Sequence, residues 1–363
     1  MKLSYENKES EASILANTKA AVFDGKIGGG NLLIHGDNLN VLQALRASFS
    51  GKIDLIYIDP PFSTNTVYRV GSERTGTVSF SSEDDVAYRD DLGGSEYLES
   101  LRKRLIITKE LLSPRGSIYL HIDYKIGHYV KVLMDEIFGR ANFRNDITRI
   151  KCNPKNFSRQ GYGNMKDLIL FYSNGSDPIW NEVRIPLDEQ ELHRLFRKID
   201  KDGRRYTTIP LHAPGETKSG VTGEKFKGLL PPKGRHWRSS PKVLEELDEQ
   251  GLIEWSKNGV PRKIIYADEH AGKKLQDIWE FKDPQYPTYP TEKNLQLLKT
   301  IVAASSNMNS IVLDFYCGSG TTLLAAQELG RRWIGIDESL PAIETAKERL
   351  GSAYQLLKQI AIE

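Results

Sequence analysis

Cysteines and long apolar runs are both scarce in this chain of 363 residues, and each scarcity excludes a class of protein. Cys152 and Cys317 are the only cysteines, too few for a disulfide framework or a structural zinc site. No run of about 18 apolar residues occurs, so we expect no transmembrane helix. The N-terminal segment MKLSYENKESEAS lacks the apolar stretch of a secretory signal. The sequence therefore predicts a cytoplasmic protein without membrane association and without a bound metal.

The composition is that of a soluble globular protein, with 39% hydrophobic and 27% charged residues. The length fits two domains, or one large core that carries a long insertion. The net charge of +2 conceals a local imbalance, because residues 151–240 contain 17 Lys and Arg against 10 Asp and Glu. Such an excess within one segment indicates a nucleic-acid-binding face. The alternative explanation is a solvated, variable insertion.

A short apolar run at residues 53–58 ends abruptly in Asp59-Pro60-Pro61-Phe62. The run is rich in β-branched residues, which is typical of a buried strand. Two consecutive prolines lack the N–H groups that a sheet ladder requires, so the strand ends there. A carboxylate, a stiff turn and an aromatic ring are therefore predicted at the carboxyl end of a central strand. In open α/β sheets this edge is where ligands bind.

A second candidate site is the glycine-rich turn Cys317-Gly318-Ser319-Gly320, between a predicted strand at 310–314 and a predicted helix. Glycines at a helix N-terminus let the backbone approach a ligand closely. The next predicted strand ends at an aspartate, 17 residues after the second glycine. A carboxylate in that place can accept hydrogen bonds from the hydroxyls of a ribose, which indicates a nucleoside-containing cofactor.

This turn has competing interpretations, and the simplest is a tight turn with a purely structural role. An enzyme that binds NAD fits less well, because Leu323 occupies the position of the third glycine in the dinucleotide motif. Asp314, at the end of its strand, would repel a pyrophosphate. The same carboxylate suits a ligand that carries a sulfonium, such as S-adenosylmethionine, and the pattern therefore favours that cofactor.

The Asp59 segment has the groups that methyl transfer to an exocyclic amine requires. The lone pair of such an amine is delocalised into the base, so the nitrogen is a poor nucleophile. The Asp59 carboxylate and the Pro60 carbonyl can accept its two N–H groups, which favours a pyramidal nitrogen, and Pro61 keeps both acceptors still. Phe62 can stack on a base that has left the duplex. This chemistry needs no cysteine nucleophile, so methylation at carbon 5 of cytosine is not expected.

These motifs resemble those of the amino-DNA methyltransferases, specifically the permuted β group, in which the Asp-Pro-Pro-Phe segment precedes the cofactor turn. The stretch 116–139 is similar to the modification subunits of type III restriction systems and their shorter relatives. The resemblance covers residues 31–175 and 275–350, and it implies methyl transfer from S-adenosylmethionine to N6 of adenine. Enzymes that act on N4 of cytosine more often carry Ser-Pro-Pro-Tyr.

The resemblance also assigns cofactor-binding roles. Lys293 corresponds to the partner of the cofactor carboxylate, and Asp37 with Asn38 corresponds to the turn against the adenine ring. Phe315 is a departure, because relatives commonly have proline there. The implied cofactor-binding residues are Asp37, Asn38, Lys293, Asp314, Tyr316, Cys317, Gly318, Gly320, Thr321, Thr322 and Asp337.

We therefore expect an α/β fold, the Rossmann-like mixed sheet of an S-adenosylmethionine-dependent methyltransferase, with a target-recognition insertion. The predicted divisions are a lead-in at 1–30, a catalytic half at 31–150, a basic insertion at 151–275 and a cofactor-binding half at 276–363.

Double-stranded DNA is the expected substrate, with the target base flipped out of the helix. The resemblance implies a restriction-modification system, with a cognate restriction endonuclease as partner and a homodimer as the assembly. The open alternatives are N4 of cytosine, RNA or a protein as acceptor, and a DNA-binding module without catalytic activity. The candidate DNA contacts are basic residues with aromatic neighbours in the insertion, namely Lys151, Lys155, Arg159, Arg235 and Arg238.

Overall fold

The fold is taken from a computed structural model of the chain. It describes residues 2–61, 66–70, 85–90, 94–154, 160–217, 219–285, 287 and 292–363, and only the backbone at 66–70 and 85–90. The chain divides into two compact units. The first is formed by Met1–Val183 together with Gln276–Glu363, and the second by Arg184–Leu275.

Most helices lie in the first unit, and several begin at a side chain that accepts a backbone N–H. Asp37 accepts from the N–H of Asn40 at 3.0 Å, and Asn294 accepts from that of Gln296 at 2.9 Å. The helices are α1 Glu11–Asn17, α2 Asn38–Phe49, α3 Gly94–Leu111, α4 Gly127–Met134, α5 Glu189–Leu195, α6 Pro241–Glu249, α7 Leu295–Ser305, α8 Thr321–Glu328 and α9 Leu340–Leu350. A π-helical turn at Asp135–Gly139 continues α4, and 3₁₀ turns lie at Arg140–Asn142 and Val221–Gly223.

The strands are β1 Ala21–Phe23, β2 Leu32–His35, β3 Ile53–Ile58, β4 Thr66–Val70, β5 Asp85–Asp90, β6 Leu112–Ile122, β7 Phe143–Ile150, β8 Lys166–Ser173, β9 Arg184–Ile185, β10 Lys198–Ile199, β11 Arg205–Pro210, β12 His212–Pro214, β13 Arg235–Trp237, β14 Ile253–Trp255, β15 Pro261–Tyr266, β16 Lys273–Lys274, β17 Ile278–Trp279, β18 Ile311–Asp314, β19 Arg332–Asp337 and β20 Gln355–Ile362. β4 and β5 pair with each other in antiparallel orientation.

A mixed sheet of ten strands organises the first unit, in the order β1-β20-β2-β19-β18-β3-β6-β8-β7-β17. The strands from β20 to β6 in that order run parallel to their neighbours. β8 is antiparallel to both β6 and β7. The α/β prediction is therefore confirmed, and the parallel centre of the sheet brings the carboxyl ends of its strands to one edge.

The central strands present different chemistry on their two faces, because successive side chains alternate. Ile58, Leu120 and Leu170 belong to one apolar core with residues of α2, α3 and α4. Burying each such side chain contributes about 1.5–3 kcal/mol. On the other face, the Tyr119 hydroxyl lies 2.8 Å from the Ser305 hydroxyl of α7. The face towards α7 is therefore the one that carries buried polar groups.

The second unit contains the four-stranded sheet β10-β11-β15-β14 and two smaller pairs, β12 with β13 and β9 with β16. Its core consists of Leu211, Phe226, Trp237, Leu244 and Ile253. The indole N–H of Trp237 donates to the Glu224 carbonyl at 2.9 Å, so the largest core side chain has its polar group satisfied.

The second unit begins at Arg184, whereas the composition of the sequence predicts an insertion that starts at 151. The difference arises from β8, whose apolar sequence DLILFY fills the position between β6 and β7 of the main sheet. The residues on either side of β8 are basic and rich in glycine, so the composition of this region does not distinguish the strand from the insertion. Within the described residues, no helix has both the length and the apolar character needed to cross a membrane.

Candidate active site

The two sequence motifs meet at one edge of the main sheet. Asp59 directly follows β3, and the glycine turn directly follows β18. These strands are parallel neighbours, with Leu55 paired to Val312 and Ile56 to Leu313. Segments separated by more than 250 residues in sequence are thereby adjacent in space. Pro60 is buried and Pro61 half-buried, and Phe62 lies outside the described residues.

Backbone N–H groups of the glycine turn donate hydrogen bonds to residues at the end of β19. The Gly318 N–H donates to Asp337 Oδ2 at 2.8 Å, and the Ser339 N–H donates to Asp337 Oδ1 at 2.9 Å. The Cys317 N–H donates to the Ile336 carbonyl at 3.1 Å. Each Asp337 oxygen keeps further lone pairs, so the carboxylate can still accept hydrogen bonds from a ligand.

Gly320 sits where the turn becomes α8 and has a left-handed φ of +76°. A Cβ added there would lie 3.1 Å from Ala346 Cβ, tighter than an ordinary contact, so both backbone and packing require glycine. Thr321 and Thr322 form the first turn of α8 and are buried. The turn therefore leads directly into the N-terminus of a helix, as the sequence predicted.

Two acids, the buried Asp314 and the half-buried Asp337, lie beside this turn and have altered pKa values. Burial raises the pKa of Asp314 to about 7, although hydrogen bonds from Thr322 and from the Tyr316 N–H oppose the shift. Burial likewise raises the pKa of Asp337 to about 6. A nearby cation stabilises the ionised form of such a carboxyl group, so the pocket is chemically suited to a positively charged ligand.

The turn at Asp37 and Asn38 lies against the segment that joins β18 to the glycine turn. The Asn38 amide donates to the Phe315 carbonyl at 2.7 Å, and Arg104 of α3 donates to Asn38 Oδ1 at 2.5 Å. Arg104 also lies 3.5 Å from Asp37. Arg104 cannot be identified from the sequence, since a basic residue on a helix has no distinguishing signal. Phe315, which replaces a common proline, is fully buried in the core.

Lys293 lies beside the Asp-Pro-Pro motif rather than far from it. Its ammonium group is 2.5 Å from Asp59 Oδ2, and the side chains are 13% and 15% exposed. The other carboxylate oxygen, Asp59 Oδ1, is buried and accepts no hydrogen bond from the part of the chain that the structure describes. A buried acceptor without a donor is costly, so Oδ1 retains the capacity to accept a further hydrogen bond.

Arg349 of α9 connects the Lys293 segment to the glycine turn. Its guanidinium lies 3.0 Å from Glu292 Oε1. The same group donates to the Ser319 carbonyl at 3.1 Å, to the Ser319 hydroxyl at 2.7 Å and to the Thr321 hydroxyl at 3.1 Å. Neither Arg349 nor Glu292 was assigned a role from the sequence, although Glu292 belongs to the Pro-Thr-Glu-Lys motif.

The residues predicted to contact DNA lie in different surroundings in the structure. Lys151 lies in the first unit, and its ammonium donates to Asp167 Oδ1 at 2.7 Å, so it is paired with a buried carboxylate. Arg235 and Arg238 are exposed in the second unit, where Arg235 Nη1 lies 3.2 Å from His212 Nδ1. Lys155 and Arg159 fall outside the described residues.

Comparison with known proteins agrees with this arrangement. The model of the N6/N4 DNA methylase family matches residues 53–348. The type II methyltransferase M.EcaI of Enterobacter cloacae is 42% identical over 326 residues, which are 88% of this chain and 69% of that protein. The Mod subunit of the type III restriction-modification enzyme StyLTI of Salmonella typhimurium is 26% identical over 92% of this chain and 56% of its own length. This chain is thus shorter than both relatives.

Among solved structures, M1.HpyAVI in complex with SAM aligns with 88% of this chain and 99% of its own, at 19% identity and a TM-score of 0.45. The family match extends over the Asp-Pro-Pro segment, the glycine turn and Asp337 together. The chain therefore belongs to the N6/N4 family of DNA methylases and is related to type III modification subunits.

Proposed function

We propose that the protein transfers a methyl group from S-adenosylmethionine to N6 of an adenine that has been flipped out of duplex DNA. The observation that carries this proposal is the pairing of β3 with β18, which brings Asp59 and the glycine turn to one sheet edge. The Asp-Pro-Pro-Phe sequence favours adenine, since enzymes for N4 of cytosine more often carry Ser-Pro-Pro-Tyr.

Asp59 and Pro60 act on the amine as hydrogen-bond acceptors. Asp59 Oδ1 and the Pro60 carbonyl accept the two N–H groups, which draws the nitrogen lone pair out of the ring and towards the donor. Phe62 stacks on the extruded base. The bound cofactor supplies an electrophilic methyl group on a sulfonium. Burial raises the pKa of the Cys317 thiol well above its usual range, so Cys317 stays protonated and does not act as a covalent nucleophile.

The cofactor is assigned to residues around the glycine turn. Asp337 accepts the ribose hydroxyls, and the backbone of Gly318 and Gly320 approaches the ligand without side chains in the way. Asp37 and Asn38 flank the adenine ring, and Lys293 binds the cofactor carboxylate. The remaining members of the set lie at the end of β18, after it or in the first turn of α8, and they are Asp314, Tyr316, Cys317, Thr321 and Thr322.

DNA recognition is assigned to the second unit, together with the predicted contact loop at Lys151, Lys155 and Arg159. Arg235 and Arg238 there flank Trp237 in sequence and are exposed to solvent, as phosphate-contacting side chains must be. We further propose that the protein works in a restriction-modification system with a cognate endonuclease and that it forms a homodimer.

The test is methylation of DNA that lacks modified bases. Purified protein, duplex DNA and S-adenosylmethionine labelled in the methyl group are incubated, and the DNA is then digested to nucleosides and analysed by mass spectrometry. The proposal expects labelled N6-methyladenine. Labelled N4-methylcytosine would refute the adenine assignment, and label on RNA or on protein with none on DNA would refute DNA as the substrate.

Asp59→Ala is the companion variant, because it removes the proposed acceptor without touching the glycine turn. Transfer should fall by about 10²-fold or more, while the affinity for S-adenosylmethionine changes little. A matched control is Asp54→Ala, a carboxylate of the same strand whose side chain accepts from the Ser113 hydroxyl at 2.9 Å. Full activity of the Asp59 variant would reject the proposed role.

A further inference from the structure

His121 lies between two carboxylates on the α7 face of the main sheet. Its side chain is fully buried, with Nδ1 at 3.7 Å from Asp59 Oδ1 and Nε2 at 3.4 Å from Asp167 Oδ2. The Tyr57 hydroxyl lies 2.9 Å from Nδ1. The imidazole thus touches the proposed acceptor on one side and a second acid on the other, across the three strands β3, β6 and β8.

The surroundings of His121 favour one neutral tautomer. Burial lowers the pKa of His121 below its ordinary value, and Lys293 and Arg149 lower it further, although Asp167 and Asp59 oppose the shift. Burial raises the pKa of Tyr57 well above its usual range, so Tyr57 keeps its proton and can donate to Nδ1. Nε2 then carries the imidazole proton and points it at Asp167.

The charges on this face balance only when His121 is neutral. Although burial raises the pKa of Asp167, hydrogen bonds from His121 and Lys151 and the charge of Lys151 hold that pKa below its ordinary value, so Asp167 is ionised. Lys151 pairs with Asp167 at 2.7 Å, and Lys293 pairs with Asp59 at 2.5 Å. Arg149, itself fully buried, pairs with Asp283 and donates to the Phe281 carbonyl at 2.8 Å. A protonated His121 would add an uncompensated charge in a buried place.

We propose that His121 is a positioning residue for the Asp59 carboxylate, held by Tyr57 and Asp167 so that Asp59 Oδ1 stays free to accept the N–H of the target amine. The inference rests on the proposed function, because it concerns the same acceptor. In this arrangement the Nδ1 lone pair is engaged by Tyr57, and the imidazole offers no proton to Oδ1. Protonation of His121 would place an N–H towards Oδ1 and compete with the substrate.

The variants His121→Gln and His121→Leu separate positioning from packing. A glutamine amide can donate to Asp167 and accept from Tyr57 but does not take up a proton, whereas leucine does neither. At pH 8, with cofactor and DNA saturating, we expect the glutamine variant to retain transfer within about threefold of the wild type. We expect a loss of about 10- to 100-fold for the leucine variant, the cost of a misplaced reacting group. Cofactor affinity should change less than about twofold in both.

The pH profile is the readout that a packing role would not change. Transfer by the wild type should fall as pH drops through the His121 pKa, and the glutamine variant should lack that part of the fall. His128→Gln, at an exposed position on α4, is the matched control and should keep the wild-type profile. A wild-type profile for His121→Gln, or wild-type activity for His121→Leu, would overturn the proposal.

Tyr57→Phe gives a second test that removes a single oxygen atom. Without the Tyr57 proton donor, Nδ1 takes up a proton more readily, so the acidic fall in transfer should move to higher pH. An unmoved profile would overturn the proposal as well. Total methyl label on DNA is counted whichever base receives it, so a cytosine product would refute the adenine assignment and leave the His121 comparison valid. Absence of any transfer by the wild type would refute the proposed function itself.

Discussion

Arg349 and Glu292 form an ion pair with a separation of 3.0 Å, in which both side chains are largely buried, at 18% and 11% exposure. Through this pair, α9 connects the Lys293 segment to the glycine turn, because Arg349 also bonds to Ser319 and Thr321. Hydrogen bonds to charged groups contribute about 1.5–3 kcal/mol each when a partner is removed from a buried site.

We therefore predict that Arg349→Met lowers the free energy of unfolding by about 2 kcal/mol and weakens cofactor binding by about tenfold. Lys347→Met is the matched control on the same helix. Lys347 pairs with Glu344 at 2.9 Å at the surface, and exposed ion pairs of this kind contribute little to stability. Chemical denaturation and calorimetric titration measure both quantities. Equal effects of the two substitutions on stability and cofactor affinity would contradict the connecting role that we assign to Arg349.

Lys293 contacts Asp59 in this structure and is also the proposed partner of the cofactor carboxylate. Lys293→Met keeps the aliphatic length and removes the charge. We predict that affinity for S-adenosylmethionine falls by about tenfold, the value of one charge-assisted hydrogen bond. Lys299→Met is the control, because Lys299 pairs with Glu328 at a partly exposed position on α7.

Equilibrium binding and transfer rate together distinguish the two roles of Lys293. A variant with unchanged cofactor affinity but much slower transfer would mean that the ammonium group serves Asp59 and not the cofactor. Lys293→Arg should recover part of the affinity, since the charge is retained although the geometry differs.

The motifs at strand ends could be predicted from sequence because their local signals are strong. The apolar run of β3 stops at two prolines, and the glycine turn requires the left-handed φ of Gly320. Each is a property of a few consecutive residues. The βαβ pattern around the turn predicts a parallel sheet, and parallel strands bring their carboxyl ends, and therefore both motifs, to the same edge.

The side-chain contacts around these motifs could not be predicted from the sequence, because they join residues that are far apart in sequence. Arg104 reaches Asn38 across 66 residues, and His121 approaches Tyr57 across 64. No periodicity marks an arginine or a histidine as the partner of a distant polar group. The strand β8 was missed for a related reason, since the loops beside it are rich in glycine and basic residues and the assignment followed composition.

Arg235 and Arg238 are predicted to contact DNA phosphates. Replacing both with alanine should weaken DNA binding and reduce the slope of log affinity against log salt concentration by about two, one for each lost contact. Cofactor affinity should not change. Arg204→Ala is the control within the same unit, because Arg204 is already paired with Asp268 at 2.9 Å and with Glu269 at 2.7 Å. Binding measured at several salt concentrations gives the slope, and an unchanged slope for the double variant would contradict the assignment.

Asp314 gives the stability a defined dependence on pH. Its folded-state pKa of about 7 lies above the ordinary 3.8, so between pH about 4 and 7 the folded protein holds a proton that the unfolded chain has lost. The stabilisation that comes from holding this proton is fully present below that window. As the pH rises through the window it is lost, and the free energy of unfolding falls by up to about 1.4 kcal/mol per pH unit. Asp314→Asn should remove this pH dependence, so the stability of the variant relative to the wild type should rise as the pH increases from about 4 to 7 and stay constant above that. A difference that does not vary with pH in denaturation curves would contradict this.

The same carboxyl group should make cofactor binding depend on pH in one direction. An ionised Asp314 favours a sulfonium, and a pKa of about 7 means that the ionised fraction rises about tenfold between pH 6 and 8. Affinity for S-adenosylmethionine should therefore rise by up to about tenfold over that interval.

S-adenosylhomocysteine, whose sulfur is neutral, serves as the matched ligand and should show a much smaller rise. Asp337, with a pKa of about 6, affects both ligands alike, so the ratio of their affinities isolates Asp314. Calorimetric titration of the wild type and of Asp314→Asn tests this, because the ratio should vary with pH only in the wild type, and a ratio constant with pH in both proteins would exclude a sulfonium beside Asp314.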